Sequence, residues 1–480
     1  MPHHITVLPQ GKTIEAMDGQ MLLSALRKEA LVVDAPCGGN GKCGKCKVLV
    51  DGRETLACRT VVDRDMTVTL ADGLPEAALS DGMKTAVDGE SGYILAFDLG
   101  TTTVVGYLLT PDGRELARDS ARNPQVAFGA DVISRIRHAM SGQMELLTDG
   151  IRCCADKIAQ ALCQKCGIFP EQVGIVSLVG NPAMQQLFFG ILPENLARPP
   201  FAPVLIQVEA VEAKPYLPRF SRAKLLIVPD IAGFVGADTV ACVLATGMDR
   251  TEDVTLLVDI GTNGEMVLGN SQTLVACAAA AGPALEGAGI RFGMRGQNGA
   301  IDHVRLENGR LKCSVIGGGT AEGICGSGLI DAVAAALEAG WLNERGKILT
   351  EDGIIRLTED IYLTQEDIRQ VQLAKGAIAA GIELMAARRG ISLQEIKTVY
   401  LAGAFGTYMD PAAACRIGLL PQVLEDRITA AGNAAGSGAK MLACSMDEWK
   451  RSQEIADGAE ALELSTLPDF PRCFARHMRF

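Results

Sequence analysis

The chain has 480 residues, of which 48% are apolar and 21% are charged, and its formal net charge at pH 7 is −12. This length suits one small domain and one or two larger ones, and an acidic chain without a basic patch is a poor partner for nucleic acid. The sequence contains no run of about 18 uninterrupted apolar residues, which is roughly the length that a membrane-spanning helix needs. The first residues also lack a secretory pattern. We therefore expect a cytoplasmic protein that binds neither nucleic acid nor membranes.

The N-terminal elements predict a small domain over residues 1–70. Two short apolar strands come first, and a helix follows the capping candidate Asp18. A glycine-rich loop and two further strands complete the domain, and the elements lie at residues 5–8, 12–17, 20–30, 37–46, 47–50 and 54–58. This order resembles the β-grasp fold of plant-type ferredoxins.

Four cysteines of this domain are candidate metal ligands. Cys37, Cys43, Cys46 and Cys58 have a spacing that is typical of a plant-type [2Fe-2S] cluster. Thiolates are the soft ligands that iron-sulfur chemistry needs, and the glycines between them allow the backbone to turn tightly. A structural zinc site or a disulfide pair is the alternative, although gaps of this length are unusual for structural zinc. The pattern therefore predicts a domain that transfers one electron.

Residues 71–92 predict a linker, because they are small, polar and poor in large apolar side chains. As a flexible coil, a segment of this length would span about 25 Å. Such a linker would allow the cluster domain to be carried between positions.

A first phosphate-binding loop is predicted at the start of the next domain, residues 93–250. The run YILAFDLGTTTVVGYLL reads as an apolar strand that ends near Asp98, a turn through Gly100, Thr101, Thr102 and Thr103, and a second apolar strand. Backbone N–H groups and hydroxyls of such a turn can face phosphate oxygens, while the carboxylate can hold Mg²⁺. An ordinary hairpin turn is the alternative for this run alone.

The same pattern recurs 161 residues further along the chain, in the domain predicted over residues 251–480. The run VTLLVDIGTNGEMVLG again reads as an apolar strand that ends near an acid and is followed by a turn. The acid is Asp259, and the turn contains Gly261, Thr262 and Asn263. A repeat at this distance indicates two related subdomains rather than a solenoid. Two such loops that face each other could hold one nucleotide.

A third glycine-rich loop follows a predicted strand at residues 398–401. Gly403, Ala404 and Gly406 are small enough for the backbone to approach a base or ribose closely. The run Gly326-Ser327-Gly328 also opens a predicted helix, whose N-terminus could face an anion.

The three loops in this order resemble the phosphate 1, phosphate 2 and adenosine motifs of the acetate and sugar kinase, heat-shock cognate and actin superfamily. Together with the cluster domain, the whole chain is similar to the reductive activators of corrinoid proteins. Further runs that carry the resemblance are NPQVAFGADVISRI at 123–136, VGNPAMQQLFFG at 179–190, PDIAGFVGADTVA at 229–241 and the terminal LPDFPRCFARHMRF. The resemblance implies a β-grasp domain followed by a duplicated RNase H-like ATP-binding fold, in an α/β and α+β multidomain chain.

The resemblance also implies an activity, which is ATP-dependent one-electron reduction of an inactive Co(II) corrinoid protein to Co(I) through the [2Fe-2S] cluster. The reduced corrinoid then serves methyl transfer. On this basis the three loops bind ATP, and Asp98 and Asp259 hold Mg²⁺. The partners are a corrinoid protein and an upstream low-potential electron donor, and the sequence leaves open whether the chain forms a homodimer.

Several alternatives stay open at this point. Asp131, Asn181 and Asp238 are the candidates for a catalytic residue, although acids and amides in loops more often cap helices or hold turns. The chain could instead activate another low-potential enzyme, such as a 2-hydroxyacyl-CoA dehydratase. It could also be a small-molecule kinase that senses redox state through its cluster, or an electron-transfer module whose nucleotide fold serves only for docking.

Overall fold

The computed structural model describes residues 2–8, 11–29, 31, 33, 41, 46–70 and 92–480, except the side chains of residues 404, 405 and 407. Two of the predicted cluster ligands, Cys37 and Cys43, and residues 71–91 of the predicted linker lie outside the described residues. None of the helices in the described part of the chain combines the length and the apolar character needed to cross a membrane.

The N-terminal part forms one five-stranded sheet with a helix packed on it. Its elements are β1 (Pro2–Leu8), β2 (Lys12–Met17), α1 (Leu22–Lys28), β3 (Lys47–Val50), β4 (Arg53–Leu56) and β5 (Met66–Thr69). The strand order is β2-β1-β5-β3-β4, with β1 and β5 parallel and the other neighbours antiparallel. Leu22, Leu23 and Leu26 of α1 are buried against strand residues such as Ile5 and Val68. This arrangement confirms the predicted β-grasp fold.

The first half of the large part, residues 93–250, contains a six-stranded sheet. Its elements are β6 (Tyr93–Leu99), β7 (Thr103–Leu109), β8 (Glu115–Arg122), α2 (Val132–His138), α3 (Met144–Cys166), β9 (Val173–Gly180), α4 (Pro182–Phe189), β10 (Glu209–Glu212), β11 (Lys224–Ile227) and α5 (Ala237–Thr246). The strand order is β10-β11-β9-β6-β7-β8.

The second half, residues 251–480, contains another six-stranded sheet and smaller strand groups. Its first elements are β12 (Thr255–Ile260), β13 (Gly264–Gly269), β14 (Leu274–Ala279), β15 (Ala300–Glu307), β16 (Arg310–Val315), β17 (Gly323–Ile324), α6 (Gly326–Glu338), β18 (Ile355–Arg356) and β19 (Tyr362–Leu363). The remaining elements are α7 (Gln365–Arg389), β20 (Thr398–Ala402), α8 (Gly403–Tyr408), α9 (Pro411–Arg416), β21 (Ile428–Gly432), α10 (Ala434–Cys444), α11 (Met446–Gly458), β22 (Ala459–Ala461) and α12 (Phe470–His477). The order of the large sheet is β21-β20-β12-β13-β14-β22.

The two large sheets share one topology. Each opens with three antiparallel strands, β6-β7-β8 and β12-β13-β14, and each adds a parallel strand beside the first one, β9 or β20. A further parallel strand, β11 or β21, follows in both sheets. The predicted duplication of an RNase H-like unit is therefore confirmed. Because each predicted phosphate loop joins the first two strands of its sheet, the two loops occupy equivalent places.

Helices α5 and α10 join the two halves. They lie in one buried cluster that also takes Ile94 from β6 and Leu257 from β12, so the cluster contacts both sheets. The two helices approach so closely that a Cβ atom on Gly438 would lie 2.1 Å from the carbonyl oxygen of Ala241. The guanidinium of Arg451 in α11 adds a hydrogen bond of 2.6 Å to the carboxylate of Asp249. The two halves therefore share one buried core.

The N-terminal domain contacts the first half through helix α1. The guanidinium carbon of Arg27 lies 5.1 Å from the centre of the Phe128 ring, a distance at which a cation is attracted to an aromatic face. Arg27 and Leu31 also border a small cavity with Pro124 and Gln125. The N-terminal domain therefore rests on the segment that directly follows β8.

Candidate functional site

A cleft of about 310 Å³ lies between the two halves, and most of the predicted nucleotide residues line it. Those residues are Asp98, Gly100, Thr101, Thr102, Thr103, Asp259, Gly261, Thr262, Asn263 and Gly403. The start of α6, at Cys325, Gly326 and Ser327, also borders the cleft. The duplicated fold thus brings two distant parts of the sequence to one cavity.

Loop 1, residues 100–103, is held from behind by side chains of the first half. Asn123 Nδ2 donates a hydrogen bond of 2.9 Å to the carbonyl of Gly100, and the backbone N–H of Asn123 donates one to the carbonyl of Thr102. Arg135 Nη2 donates to the carbonyl of Thr101. Because these donors engage the loop carbonyls, the carbonyls are kept away from an anion in the cleft.

Arg135 is a buried cation directly beneath loop 1. Its side chain is fully shielded from solvent, and Nε also donates to the carbonyl of Gly129 at 3.1 Å. Burial lowers the pKa of Arg135 to about 9, since a low-dielectric environment disfavours the charged form. A guanidinium in this position adds positive potential to the loop, where it would favour phosphate.

Loop 2, residues 261–263, is linked to loop 1 by Glu286. Thr262 Oγ1 donates a hydrogen bond of 2.6 Å to Glu286 Oε2, and Thr102 Oγ1 donates one of 3.0 Å to Glu286 Oε1. Sequence reasoning missed Glu286, which stands in the run GPALEGAG. Its only local signal is an acid among small residues, and that pattern is common in turns.

Carboxylates that are partly shielded from solvent form the floor of the cleft. Burial raises the pKa of Asp98 to about 7 and that of Asp259 to about 6, and the two acids repel each other. Burial raises the pKa of Asp238 to about 7, with repulsion from Asp259 as the second cause. Glu265 also borders this floor, and burial raises its pKa well above the ordinary range. Carboxylates that repel one another in this way would be neutralised by a divalent cation with oxygen ligands, such as Mg²⁺.

The two predicted metal-binding acids have different neighbours. Asp98 Oδ2 accepts a hydrogen bond of 3.0 Å from Asn433 Nδ2, and Asn433 also caps helix α10 through the N–H of Gly436. Asp259 Oδ2 accepts a longer contact of 3.7 Å from the thiol of Cys242 in α5. Each acid is therefore positioned by one of the two helices that join the halves.

The third predicted loop reaches the cleft through its first glycine. Gly403 has φ +83°, and a Cβ atom there would lie 2.7 Å from Asp259 Oδ1, so only glycine fits without strain. Gly406 is buried and packs against Leu401. Among the described residues of helix α8, Gly403 and Tyr408 border the cleft and Gly406 does not. The side chain of Ala404 lies outside the described residues.

The three candidates for a catalytic residue have different surroundings. Asp131 caps α2, where its carboxylate accepts hydrogen bonds of 2.8 Å from the N–H and the hydroxyl of Ser134, and it does not border the cleft. Asn181 caps α4 and donates a hydrogen bond of 3.0 Å to Thr101 Oγ1. Asp238 borders the cleft from the first turn of α5. Asn181 and Asp238 therefore lie in the candidate site, whereas Asp131 has a capping role.

Two of the predicted cluster cysteines can be described. Cys46 is buried and Cys58 is partly buried, and burial raises the pKa of the Cys46 thiol, which hydrogen bonds with Cys58. The N–H of Ala57 donates a hydrogen bond of 2.8 Å to the carbonyl of Cys46 and so fixes the two segments side by side. Two adjacent thiols fit one edge of an iron-sulfur cluster.

Family models match three consecutive parts of the chain. A 2Fe-2S iron-sulfur cluster binding domain matches residues 5–68, and the RACo middle region matches residues 93–251. The C-terminal domain of RACo, described as the ASKHA domain, matches residues 253–480. ASKHA stands for acetate and sugar kinase, heat-shock cognate and actin.

The proteins that are similar to the chain include two curated relatives and a solved structure. The corrinoid activation enzyme RamQ of Eubacterium limosum is 36% identical over 420 residues, which cover 81% of this chain and 70% of the relative. The [Co(II) methylated amine-specific corrinoid protein] reductase of Methanosarcina barkeri is 32% identical over 225 residues, which cover 42% of this chain and 41% of the relative. The structure of a reductive activator for a corrinoid, iron-sulfur protein superposes with a TM-score of 0.74 at 28% identity, covering 100% of this chain and 98% of the other.

Proposed function

Because the chain belongs to the family of corrinoid activation enzymes, we propose that it uses ATP to drive the reduction of an inactive Co(II) corrinoid protein to Co(I). The electron comes from a [2Fe-2S] cluster in the N-terminal domain. One observation carries this proposal: the cluster domain rests, through Arg27 and Phe128, on the segment that supports loop 1 of the nucleotide cleft. This contact supports a direct connection between the domain that would carry the cluster and the half that would bind ATP.

The residues of the cleft fit Mg-ATP. The hydroxyls and N–H groups of loops 1 and 2 would hold the phosphates, and Asp98 and Asp259 would hold Mg²⁺. Gly403 would allow the nucleotide to lie close to the backbone. Arg295 is the one cation among the described residues that border the cleft, and it would balance part of the phosphate charge.

The cysteines fit the cluster. Cys46 and Cys58 lie together on the described part of the domain, and Cys37 and Cys43 would complete the four ligands. A plant-type cluster supplies one electron near about −400 mV. In this electron transfer, the residues of the protein would hold the cluster in a domain that contacts the ATP-binding half.

ATP is needed because the reduction is unfavourable. Each 59 mV by which the cobalt couple lies below the cluster costs roughly tenfold in a one-electron equilibrium. Binding that favours one cobalt state over the other by several kcal/mol would shift this balance. Nucleotide-dependent docking of the corrinoid protein can provide that difference, and hydrolysis then releases the partner and makes the cycle directional.

Two further components complete the scheme. Each turnover consumes one electron, so a low-potential donor must reduce the cluster again. A homodimer is compatible with this cycle, and sedimentation of the cluster-loaded protein measures the oligomeric state directly.

The test mixes the reduced protein, Mg-ATP and a Co(II) corrinoid protein without oxygen and follows the Co(I) absorption band. We expect Co(I) to form only with ATP, and to form slowly in Asp98→Ala and Asp259→Ala variants. Glu307→Ala, on an exposed part of β15, is the control and should reduce cobalt at the normal rate. Equal rates without ATP, or in both aspartate variants, would show that the central claim is wrong.

A further inference from the structure

Glu286 is the carboxylate that contacts both phosphate loops. Its two oxygens accept hydrogen bonds from Thr102 of loop 1 and Thr262 of loop 2, at 3.0 and 2.6 Å. The other acids of the cleft are held differently, since Asp98 contacts Asn433 and Asp259 contacts Cys242. Glu286 therefore lies where the two halves of the cleft meet.

The backbone around Glu286 is fixed by its neighbours. Glu286 ends a short 3-10 helix at Pro283–Glu286, whose Ala284 and Leu285 are buried. Gly287 follows with φ +82°, and a Cβ atom there would lie 2.7 Å from the N–H nitrogen of Met294. A turn that only glycine can make in this place positions the carboxylate from a rigid base.

The place of Glu286 has a chemical consequence if the loops hold ATP. Thr102 and Thr262 direct their hydroxyls to one point between the loops. If the loops hold the phosphates of ATP, the terminal phosphate would lie beside this point and beside Glu286. A carboxylate beside this phosphate cannot bind it directly, because like charges repel. It can instead hold a water molecule, since a carboxylate accepts the hydrogen bonds that a water donates.

We infer that Glu286 orients the water that attacks the terminal phosphate of ATP and accepts its proton. This inference rests on the proposed function. The oxygen of the water bonds to the γ-phosphorus, and the bond from that phosphorus to the bridging oxygen breaks. ADP leaves with the electron pair of that bond, and one proton of the water moves to the Glu286 carboxylate, which returns it to solvent.

The three residues that the sequence offered for this role are less suitable. Asp131 caps α2 away from the cleft, and the amide of Asn181 is not a base. Asp238 borders the cleft with its carboxylate directed to the N–H of Thr239 in its own helix. Of these acids and Glu286, only Glu286 has contacts with the hydroxyls of both loops.

The test is Glu286→Gln in the full-length, cluster-loaded protein. Glutamine keeps the size of the side chain and one carbonyl oxygen, but it cannot accept a proton. We expect the rate of ATP hydrolysis in a single turnover to fall by about 100-fold or more. The Kd for a non-hydrolysable ATP analogue, measured by calorimetry, should change by less than about threefold, because the loops and the metal-binding acids stay in place.

Two further variants make the result unambiguous. Glu286→Asp keeps the charge but withdraws it from the loops, so hydrolysis should fall by about tenfold or more while analogue binding stays normal. It decides the question if the glutamine variant does not fold. Glu307→Gln makes the same chemical change on the exposed part of β15 and should hydrolyse ATP at the normal rate.

The outcomes separate this inference from the proposed function. If wild-type protein neither binds nor hydrolyses ATP, the proposed function itself is wrong. If wild-type protein hydrolyses ATP and Glu286→Gln does so within about threefold, the function stands and the inference fails. Loss of analogue binding in Glu286→Gln or Glu286→Asp would assign Glu286 to binding, which also overturns it.

Discussion

Loops 1 and 2 have the same place in the duplicated fold, but their supports carry opposite charge. Loop 1 is held from behind by donors, the amide of Asn123 and the buried guanidinium of Arg135. Both loops donate one threonine hydroxyl to Glu286, but the other support of loop 2 is a carboxylate, since Asn263 hydrogen bonds with Glu265. The two halves have the same strand pair and the same acid at its end, but different side chains contact the turn that follows. We therefore expect loop 1 to carry more of the phosphate charge and loop 2 to depend on the metal.

The largest effect is expected from removing the cation under loop 1. Arg135→Met leaves the carbonyls of Thr101 and Gly129 without a donor in a buried place, which should cost roughly 3 kcal/mol of unfolding free energy. The loss of positive potential should also weaken ATP binding by at least about tenfold. Chemical denaturation and calorimetry measure the two effects.

The control for this variant is Arg137→Met, which removes an exposed arginine from the same helix. It should change neither quantity by more than a few tenths of a kcal/mol. Unaltered ATP affinity in Arg135→Met would show that loop 1 does not depend on the buried charge.

A substitution beside Asp259, the predicted Mg²⁺ ligand next to loop 2, tests whether this side of the cleft depends on the metal. Gly403→Ala places a methyl group 2.7 Å from Asp259 Oδ1 at a φ of +83°, so the carboxylate must move. We expect a loss of roughly 1–2 kcal/mol in stability from the backbone conformation, and Mg-ATP binding weaker by about tenfold.

Gly390→Ala is the matched control for Gly403→Ala. Its φ of +66° imposes a similar backbone strain, but the space around its Cβ is open. It should lose comparable stability and retain its affinity for Mg-ATP. If both variants bind nucleotide equally well, the contact between Gly403 and Asp259 is unimportant for the site.

Paired threonine variants compare the loops directly. Thr102→Val and Thr262→Val each remove a loop hydroxyl that would face the phosphates, and each leaves the Glu286 carboxylate in place. Loop 1 keeps its contacts with Asn123 and Arg135, so Thr102→Val should weaken ATP binding by only about threefold. Thr262→Val should weaken it by about tenfold, which corresponds to roughly 1.4 kcal/mol. Calorimetry of both variants gives the ranking, and the reverse order would refute the asymmetry.

The smallest effect on activity is expected at Asp131, which caps the helix that carries Arg135. Asp131→Ala should lose about 1 kcal/mol of stability through the missing cap. Asp131→Asn keeps an acceptor for the N–H of Ser134 and should be nearly as stable as the wild type. Both should hydrolyse ATP at the normal rate, and strong loss of hydrolysis in both would restore Asp131 as a catalytic residue.

The sequence predicted the fold and the floor of the site because their signals are local. Each phosphate loop follows an apolar strand directly, so the period of the strand and the turn residues after it place Asp98 and Asp259 at the end of a hairpin. The repeat of this pattern then predicted that two equivalent loops face each other. A β-grasp order of strands and helix is likewise readable from short segments.

The residues that sequence reasoning missed reach the site from far along the chain. Glu286 is separated from Thr102 by 184 positions, and Asn433 is separated from Asp98 by 335. Arg135 looks like an ordinary surface arginine until α2 packs under loop 1. Packing between elements decides these contacts, and no spacing pattern in the sequence records them.

Gly406 shows the opposite case, in which a sequence pattern includes a residue that does not border the cleft. The run of small residues after β20 predicts a loop that faces the nucleotide over its whole length. In the structure a helix begins at Gly403, and Gly406 packs against Leu401 instead. Small residues allow close approach to a ligand or to another part of the chain, and the sequence does not distinguish the two.

The core that α5 and α10 share limits how the molecule can be divided. Each half contributes one of these helices, so a fragment that ends near residue 250 would expose an apolar helix that its own sheet covers on one side only. Separately produced halves should aggregate, whereas halves produced together should reassemble. By the same reasoning, a half-length ancestor would have needed a second copy of itself, and its nucleotide site would have lain on the boundary between two subunits.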